Sequence, residues 1–102
     1  MMLKPGTRLF SAVCATELIT IRAPAGDVDL TIGGASPVSS VAERDVSLGV
    51  SPGFGGGCLI GKRYVDGDDT LELLCTKAGE GVPALSGSPL VPKQAKVLPA
   101  SD

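Results

Sequence analysis

The sequence predicts an all-β protein, a small sandwich or barrel of short strands joined by tight turns. Its 14 glycines and 8 prolines in 102 residues disfavour long helices. Apolar and polar side chains alternate in several short runs, which is typical of half-buried strands. A chain of this length forms one domain that buries roughly two-thirds of the surface its unfolded state exposes.

Five runs carry the strand signal, and they lie at 8–14, 17–22, 28–32, 58–65 and 71–76. In the second run the alternation predicts Leu18 and Thr20 on one face and Ile19 on the other. Between the last two runs, the acidic segment 66–69 predicts a turn. Only 41–46 has the character of a helical turn.

The chain is predicted to contain two homologous β units. A shift of 55 residues places the 6–10 segment (GTRLF) on 61–65 (GKRYV), and Glu17-Leu18-Ile19 on Glu72-Leu73-Leu74. Within one domain covering 1–102, the predicted parts are a first repeat at 6–38, a Gly/Ser/Pro-rich connector at 39–60, a second repeat at 61–91 and an extended C-terminal arm at 92–102. Neither unit can bury enough surface alone, so we expect a pseudo-two-fold arrangement around one core. The alternative is chance similarity between two hairpins in a Gly/Val/Leu-rich chain.

The second unit resembles desulforedoxin and the N-terminal domain of desulfoferrodoxin. The resemblance rests on residues at the family's scaffold spacing, namely Gly61, Tyr64, Gly79, Gly81, Gly87 and Leu90. The first unit follows the same spacing from Gly6 to about Val38. The resemblance implies rubredoxin-type β units, which in that family bind tetrahedral iron through four cysteines and pair as dimers. In a tandem repeat, that pairing would be intramolecular.

The iron ligands that the resemblance implies are largely missing. Their positions carry Asp66, Asp69, Leu85 and Ser86 in the second unit, and Ser11, Cys14, Leu30 and Thr31 in the first. A soft thiolate site cannot be built from these side chains, so we expect no metal and no cofactor. The alternative is a residual metal-binding or electron-transfer protein that uses Cys14.

Composition excludes several further classes of function. The absence of histidine excludes Ser-His-Asp and Cys-His catalysis and the usual zinc sites. A net charge of −2 with only three aromatic residues argues against nucleic acid. No apolar stretch approaches the roughly 20 residues of a membrane helix. The opening segment lacks the core of a signal peptide, and three widely spaced cysteines do not suggest a disulfide framework, so we expect a cytoplasmic protein.

The three cysteines and the acidic turn also carry expectations. Cys75 lies in an apolar run and is predicted to be an inert core residue, whereas Cys14 lies at a turn and is the candidate for a reactive thiol. The aspartates of the 66–69 turn are predicted to aid solubility rather than hold a cation. The 56–62 segment matches GxxxxGK, but it lacks the following Ser or Thr and the helix of a nucleotide site.

With no catalytic constellation, the sequence favours a binding role. We expect a non-catalytic accessory subunit or protein-interaction module. It would bind a protein partner or a second copy through its strand edges and its C-terminal arm. The candidate binding residues are Arg8, Arg63, Glu17, Glu72, Phe54 and Tyr64. The repeat-equivalent arginines are predicted to pair with the glutamates or to present an anion site. The alternative is a small-molecule binder or small enzyme whose pocket lies between the repeats.

Overall fold

A computed structural model describes residues 1–68 and 70–93. Over these ranges the chain is mostly strand and has two antiparallel sheets with almost no helix, so the all-β prediction is confirmed. The strands of the described chain are β1 (Arg8–Phe10), β2 (Glu17–Arg22), β3 (Leu30–Ile32), β4 (Arg63–Val65), β5 (Glu72–Lys77), β6 (Pro83–Leu85), β7 (Ser88–Pro89) and β8 (Val91–Pro92).

The larger sheet has the strand order β1-β2-β5-β4-β8, and the smaller sheet has the order β3-β6-β7. In the larger sheet, the long strands β2 and β5 lie side by side at the centre, each with a shorter strand on its outer side. In the smaller sheet, β3 pairs with β6, so each sheet joins a strand from before the connector to one from after it.

Alternation along the strands directs one face of the larger sheet to the core. Leu18 and Thr20 of β2 are both buried, as are Leu73 and Cys75 of β5. Val28, Leu30 and Ile32, next to and within β3, belong to the same buried cluster, which therefore joins the two sheets into one core. Because a strand side chain is on the opposite face from its neighbours, the alternate residues of β2 and β5 form an outer face.

Tight turns with left-handed backbone join the strands of the smaller sheet. Ser86 (φ 51°) and Gly87 (φ 82°) separate β6 from β7, as expected for a type I′ hairpin. Gly33 and Gly34, at φ 66° and 88°, make the corresponding reversal after β3, where Ile32 is bridged to Ala35.

The bounds of several elements differ from those that the sequence predicts. The strand expected at 58–65 begins at Arg63, because Cys58 is instead bridged to Gly79 and the chain turns before β4. The first strand ends at Phe10, because the Ser11 hydroxyl accepts hydrogen bonds from the next turn. The connector contains 3-10 helices at Val41–Glu43 and Val46–Leu48, the first within the predicted helical turn.

The predicted C-terminal arm lies mostly outside the described residues. Its first residue, Pro92, belongs to β8 and pairs with Tyr64 of β4, and the Lys93 N–H donates to the Arg63 carbonyl at 2.6 Å. Residues 94–102 and Asp69 are not described. None of the helices in the described chain has the length and apolar character needed to cross a membrane.

Candidate functional site

A cross-strand row of four residues runs over the outer face of the larger sheet. Ile19 of β2 is directly opposite Leu74 of β5, with Arg8 beside Ile19 on β1 and Arg63 beside Leu74 on β4. Residues directly opposite in a ladder project to the same face. The row therefore places a half-buried aliphatic pair between two exposed arginines.

Two further rows flank this central one, and each contains a glutamate. Glu17 lies between Phe10 and Lys77, and Glu72 lies between Val65 and Arg22. The structure thus brings four of the predicted binding residues, the two arginines and the two glutamates, to one sheet face.

Glu72 is the most buried charged group of this face, at 1% exposure. Its Oε1 accepts a hydrogen bond from Lys93 Nζ at 2.9 Å, and its Oε2 accepts one from Arg63 Nη1 at 3.1 Å. The hydrogen bond from Lys93 is the main reason that the pKa of Glu72 is lowered, and the charges of Lys93 and Arg63 add to it against the effect of burial. The carboxylate is therefore held ionised by two cations.

Glu17 is paired differently. Its Oε2 lies 3.6 Å from Arg44 Nη2 and 3.8 Å from Lys77 Nζ. Arg44 comes from the connector, where its Nε also donates to the Ser11 carbonyl at 2.9 Å. Within the described part of the chain, Arg8 has no carboxylate at ion-pair distance, so its guanidinium is left for another group.

A cleft of about 260 Å³ opens beside Arg8. Its lining residues come from the segments before and after the connector in the sequence. They include Arg8, Phe10, Glu17, Ile19, Thr76 and Lys77. Two cations next to an aromatic and an aliphatic side chain suit a carboxylate that has an apolar neighbour.

Charge is unevenly distributed over the described chain. The three rows and the partners of their glutamates contain six cations and two carboxylates. The cations are Arg8, Arg22, Arg44, Arg63, Lys77 and Lys93. The other Lys, Arg, Asp and Glu side chains of the described residues are two lysines, at 4 and 62, and seven carboxylates, at 27, 29, 43, 45, 66, 68 and 80. In a chain of net charge −2, this sheet face is therefore a positive pole.

Tyr64 and Phe54 do not belong to this face. Tyr64 is on the inner face at 3% exposure, where its hydroxyl accepts a hydrogen bond from the Leu59 N–H at 2.9 Å and burial raises its pKa. The prediction of Tyr64 as a binding residue is corrected by this burial. Phe54 is half-buried in the connector, and its carbonyl accepts a hydrogen bond from Val82.

Cys14, in the turn between β1 and β2, forms a second candidate centre that is separate from the arginine row. Its Sγ lies 3.1 Å from Ser11 Oγ and 3.3 Å from Thr16 Oγ1, and it accepts a hydrogen bond from the Gly81 N–H at 3.3 Å. Burial alone would raise the pKa of this thiol, but its hydrogen bonds with Ser11, Thr16 and Gly81 outweigh burial and lower it. The thiol lines a pocket of about 350 Å³ together with Val46, Val50 and neighbouring residues.

The other two cysteines are core residues. Cys58 and Cys75 are each 1% exposed, and burial raises the pKa of Cys58 to about 12. At that pKa the Cys58 thiol stays protonated near neutral pH. The burial of Cys75 agrees with the sequence prediction of a core residue.

The Asp66 side chain stabilises the turn that precedes β5. The Asp66 carboxylate accepts hydrogen bonds from the Thr70 N–H and hydroxyl and from the Leu71 N–H, at 2.7 to 3.0 Å. Burial alone would raise the pKa of Asp66, but the bonds from Thr70 and Leu71 lower it. Asp66 thus closes the turn before β5.

The described ligand positions do not fit a tetrahedral thiolate iron. Ser11 already accepts hydrogen bonds from two backbone N–H groups, Leu30 is buried at 2% exposure, and Leu85 and Ser86 offer no thiolate. In residues 1–68 and 70–93, no three His, Cys, Asp or Glu side chains converge as a metal site would require. Comparisons with protein-family models, curated proteins and solved structures found no match.

Proposed function

We propose that this chain is a non-catalytic protein-interaction module, an accessory subunit of the cytoplasm, that binds its partner through the outer face of the larger sheet. The observation that carries the proposal is the charge distribution. Among the described residues, the rows that hold the half-buried Ile19–Leu74 pair and the partners of their glutamates contain six cations and two carboxylates, in a chain that is acidic overall. A positive patch around a small aliphatic centre is suited to steering and docking a negatively charged protein surface.

We propose that the scaffold is a tandem repeat of two desulforedoxin-like β units around a pseudo-two-fold axis. The β1–β2 and β4–β5 registers support it, because each pair in one ladder has its counterpart 55 residues later in the other, as Arg8↔Ile19 has in Arg63↔Leu74. Turn hydrogen bonds give the same support, since Gly6 N–H to Thr20 O at 2.7 Å has its counterpart in Gly61 N–H to Cys75 O at 2.9 Å.

The central ladder supports the same proposal. Ile19 and Leu74 are repeat-equivalent and face each other, and Glu17↔Lys77 has its counterpart in Arg22↔Glu72. This is the pairing expected when two copies of one hairpin meet across a two-fold axis. The scaffold functions without iron in this proposal, because the positions of the iron ligands offer one thiolate among carboxylate, hydroxyl and apolar side chains.

The function is tested by cross-linking and affinity capture from the native cytoplasm with three forms of the protein. We expect a defined partner with the wild type and with Lys4→Glu, a cation outside the face, and its loss with Arg8→Glu. Arg8 has no ion pair in the described chain, so its replacement leaves the fold in place. Recovery of the same protein with Arg8→Glu, or of none with the wild type, would refute the proposal. Light scattering shows whether a second copy is the partner.

A second candidate function is the binding of a small carboxylic acid. The observation that favours it is the cleft of about 260 Å³, where Arg8, which has no ion pair among the described residues, lies next to Phe10 and Lys77. A thermal shift with aromatic or short acyl acids that disappears in Arg8→Gln but persists in Lys4→Gln would establish it. The absence of any shift over these ligands rejects it.

A further inference from the structure

Resting on the proposed function, we infer that the partner presents an extended acidic segment with the pattern acidic-x-aliphatic-x-acidic. One carboxylate enters the cleft between Arg8 and Lys77, the aliphatic side chain packs on Ile19 and Leu74, and the second carboxylate reaches Arg63. The segment crosses the strands of the larger sheet rather than extending the sheet at an edge.

The dimensions of the sheet set this spacing. Arg8 and Arg63 lie on β1 and β4, which are separated by three strand-to-strand steps through β2 and β5. At about 4.8 Å per step, their backbones are about 14 Å apart. An extended peptide advances about 3.3 Å per residue and projects alternate side chains to one side, so residues i and i+4 lie about 13 Å apart with i+2 midway. The middle residue then falls over the Ile19–Leu74 pair.

The arginines have donors left for these carboxylates. Arg63 uses Nη1 for Glu72, its side chain is 54% exposed, and a guanidinium carries five N–H groups. Lys77 is 59% exposed and lies at 3.8 Å from Glu17, a distance too long for a direct hydrogen bond. Arg8 has no ion pair in the described residues. Each side of the aliphatic pair therefore has a cation able to bind a new carboxylate.

The same face disfavours a nucleic acid. A phosphate backbone would pass over Glu17 and Glu72, which repel it, and Phe10 is the only aromatic side chain in the three rows. Single-strand binding depends on several stacking rings and a continuous basic groove. A peptide places its two carboxylates at discrete positions beside Arg8 and Arg63, where the neighbouring glutamates are each already paired with two cations.

The test is fluorescence anisotropy with three short labelled peptides at low and at physiological ionic strength. The probe peptide is GSESLSESG, the neutral control is GSQSLSQSG, and the spacing control is GSEESLSSG. We expect the probe to bind at least tenfold more tightly than the neutral control and several-fold more tightly than the spacing control. Arg8→Gln should weaken binding of the probe about tenfold, and Lys4→Gln should leave it unchanged.

Arg63→Gln should also weaken the probe about tenfold, and circular dichroism of each variant confirms that the loss is not unfolding. Equal binding of the probe and the neutral control, equal loss in Lys4→Gln, or tighter binding of oligothymidylate than of the probe would overturn the inference. If the peptides fail while Arg8→Glu still loses the captured partner, the acidic segment is wrong and the interaction face stands. If both fail, the proposed function fails with it.

Discussion

Ile19 and Leu74 face each other at the centre of the larger sheet, and each has an arginine on its outer side. The two arginines differ in one respect. Arg63 donates to the buried Glu72 carboxylate at 3.1 Å, whereas Arg8 has no ion pair within the described chain. Arg63 therefore contributes to the fold in addition to the donors it offers a partner, whereas Arg8 has no such structural role.

Replacing these arginines is expected to lower stability at Arg63 but not at Arg8. Arg63→Gln leaves Glu72 with Lys93 alone and should lower the free energy of unfolding by about 1 kcal/mol, since the guanidinium is half-exposed. Arg8→Gln should stay within about 0.5 kcal/mol of the wild type. Urea unfolding followed by circular dichroism measures both. A larger loss for Arg8→Gln would show that this arginine has a structural partner.

The lowered pKa of Glu72 predicts a loss of stability in acid. The unfolded carboxyl titrates near its ordinary value of 4.5, and the folded one below it. The stabilisation is thus complete above pH 4.5 and is lost as the pH falls through the folded pKa. Glu72→Gln should lower stability by about 1 to 3 kcal/mol at pH 7 and flatten the acid dependence. Glu80→Gln, an exposed glutamate outside the sheet face, is the control, and an unchanged acid slope in Glu72→Gln contradicts the prediction.

Two buried threonines should respond oppositely to replacement by valine. Thr20 is 1% exposed, and within the described chain its hydroxyl has no hydrogen-bond partner, so Thr20→Val should be neutral or stabilise by up to about 1 kcal/mol. Thr16 is 0% exposed and donates to the Gly81 carbonyl at 3.0 Å, so Thr16→Val should destabilise by about 1 to 3 kcal/mol. Thermal unfolding compares them, and the same sign for both rules out this assignment of hydrogen bonds.

Gly79 is expected to be intolerant of any side chain. A Cβ there would overlap the Thr16 backbone nitrogen and hydroxyl, because the segment before β6 packs directly on the turn that holds Cys14. Gly79→Ala should cost about 1 to 3 kcal/mol. Gly67→Ala, with nothing within 4 Å of the added methyl, should be near neutral. Comparable losses in the two variants, measured by urea unfolding, would mean that the close approach is not decisive.

How far the sequence predicts this architecture depends on the residue. The alternation in β2 placed Leu18 and Thr20 on one face, which is the buried one, and the 55-residue shift placed the two arginines and two glutamates in equivalent positions. The partners of the glutamates were not predictable. Arg44 comes from a connector without periodicity, and Lys93 lies where the sequence indicated only an extended arm.

The burial of single polar groups could not be predicted from the sequence either. Tyr64 was predicted as a binding residue together with Arg63, but a strand places neighbours on opposite faces, and Tyr64 lies in the core. The surroundings of Cys14 depend on Gly81, which lies 67 residues further along the chain. A local sequence pattern cannot predict such contacts, because they form only when the two halves of the chain pack together.

Cys14 is predicted to be the most reactive of the three thiols. Burial alone would raise its pKa, but hydrogen bonds with Ser11, Thr16 and Gly81 outweigh burial and lower it from 9.0, whereas burial raises the pKa of Cys58 to about 12. Between the lowered value and pH 9, Cys14 therefore carries more thiolate than an ordinary cysteine, and it lines an open pocket. Iodoacetamide labelling followed by peptide mass spectrometry should modify Cys14 first and Cys58 last. Ser11→Ala should move the pH midpoint of Cys14 labelling upward while Cys58 stays unlabelled, because unfolding would instead expose all three thiols. Equal labelling of the cysteines in the folded wild-type protein contradicts this role of the Cys14 surroundings.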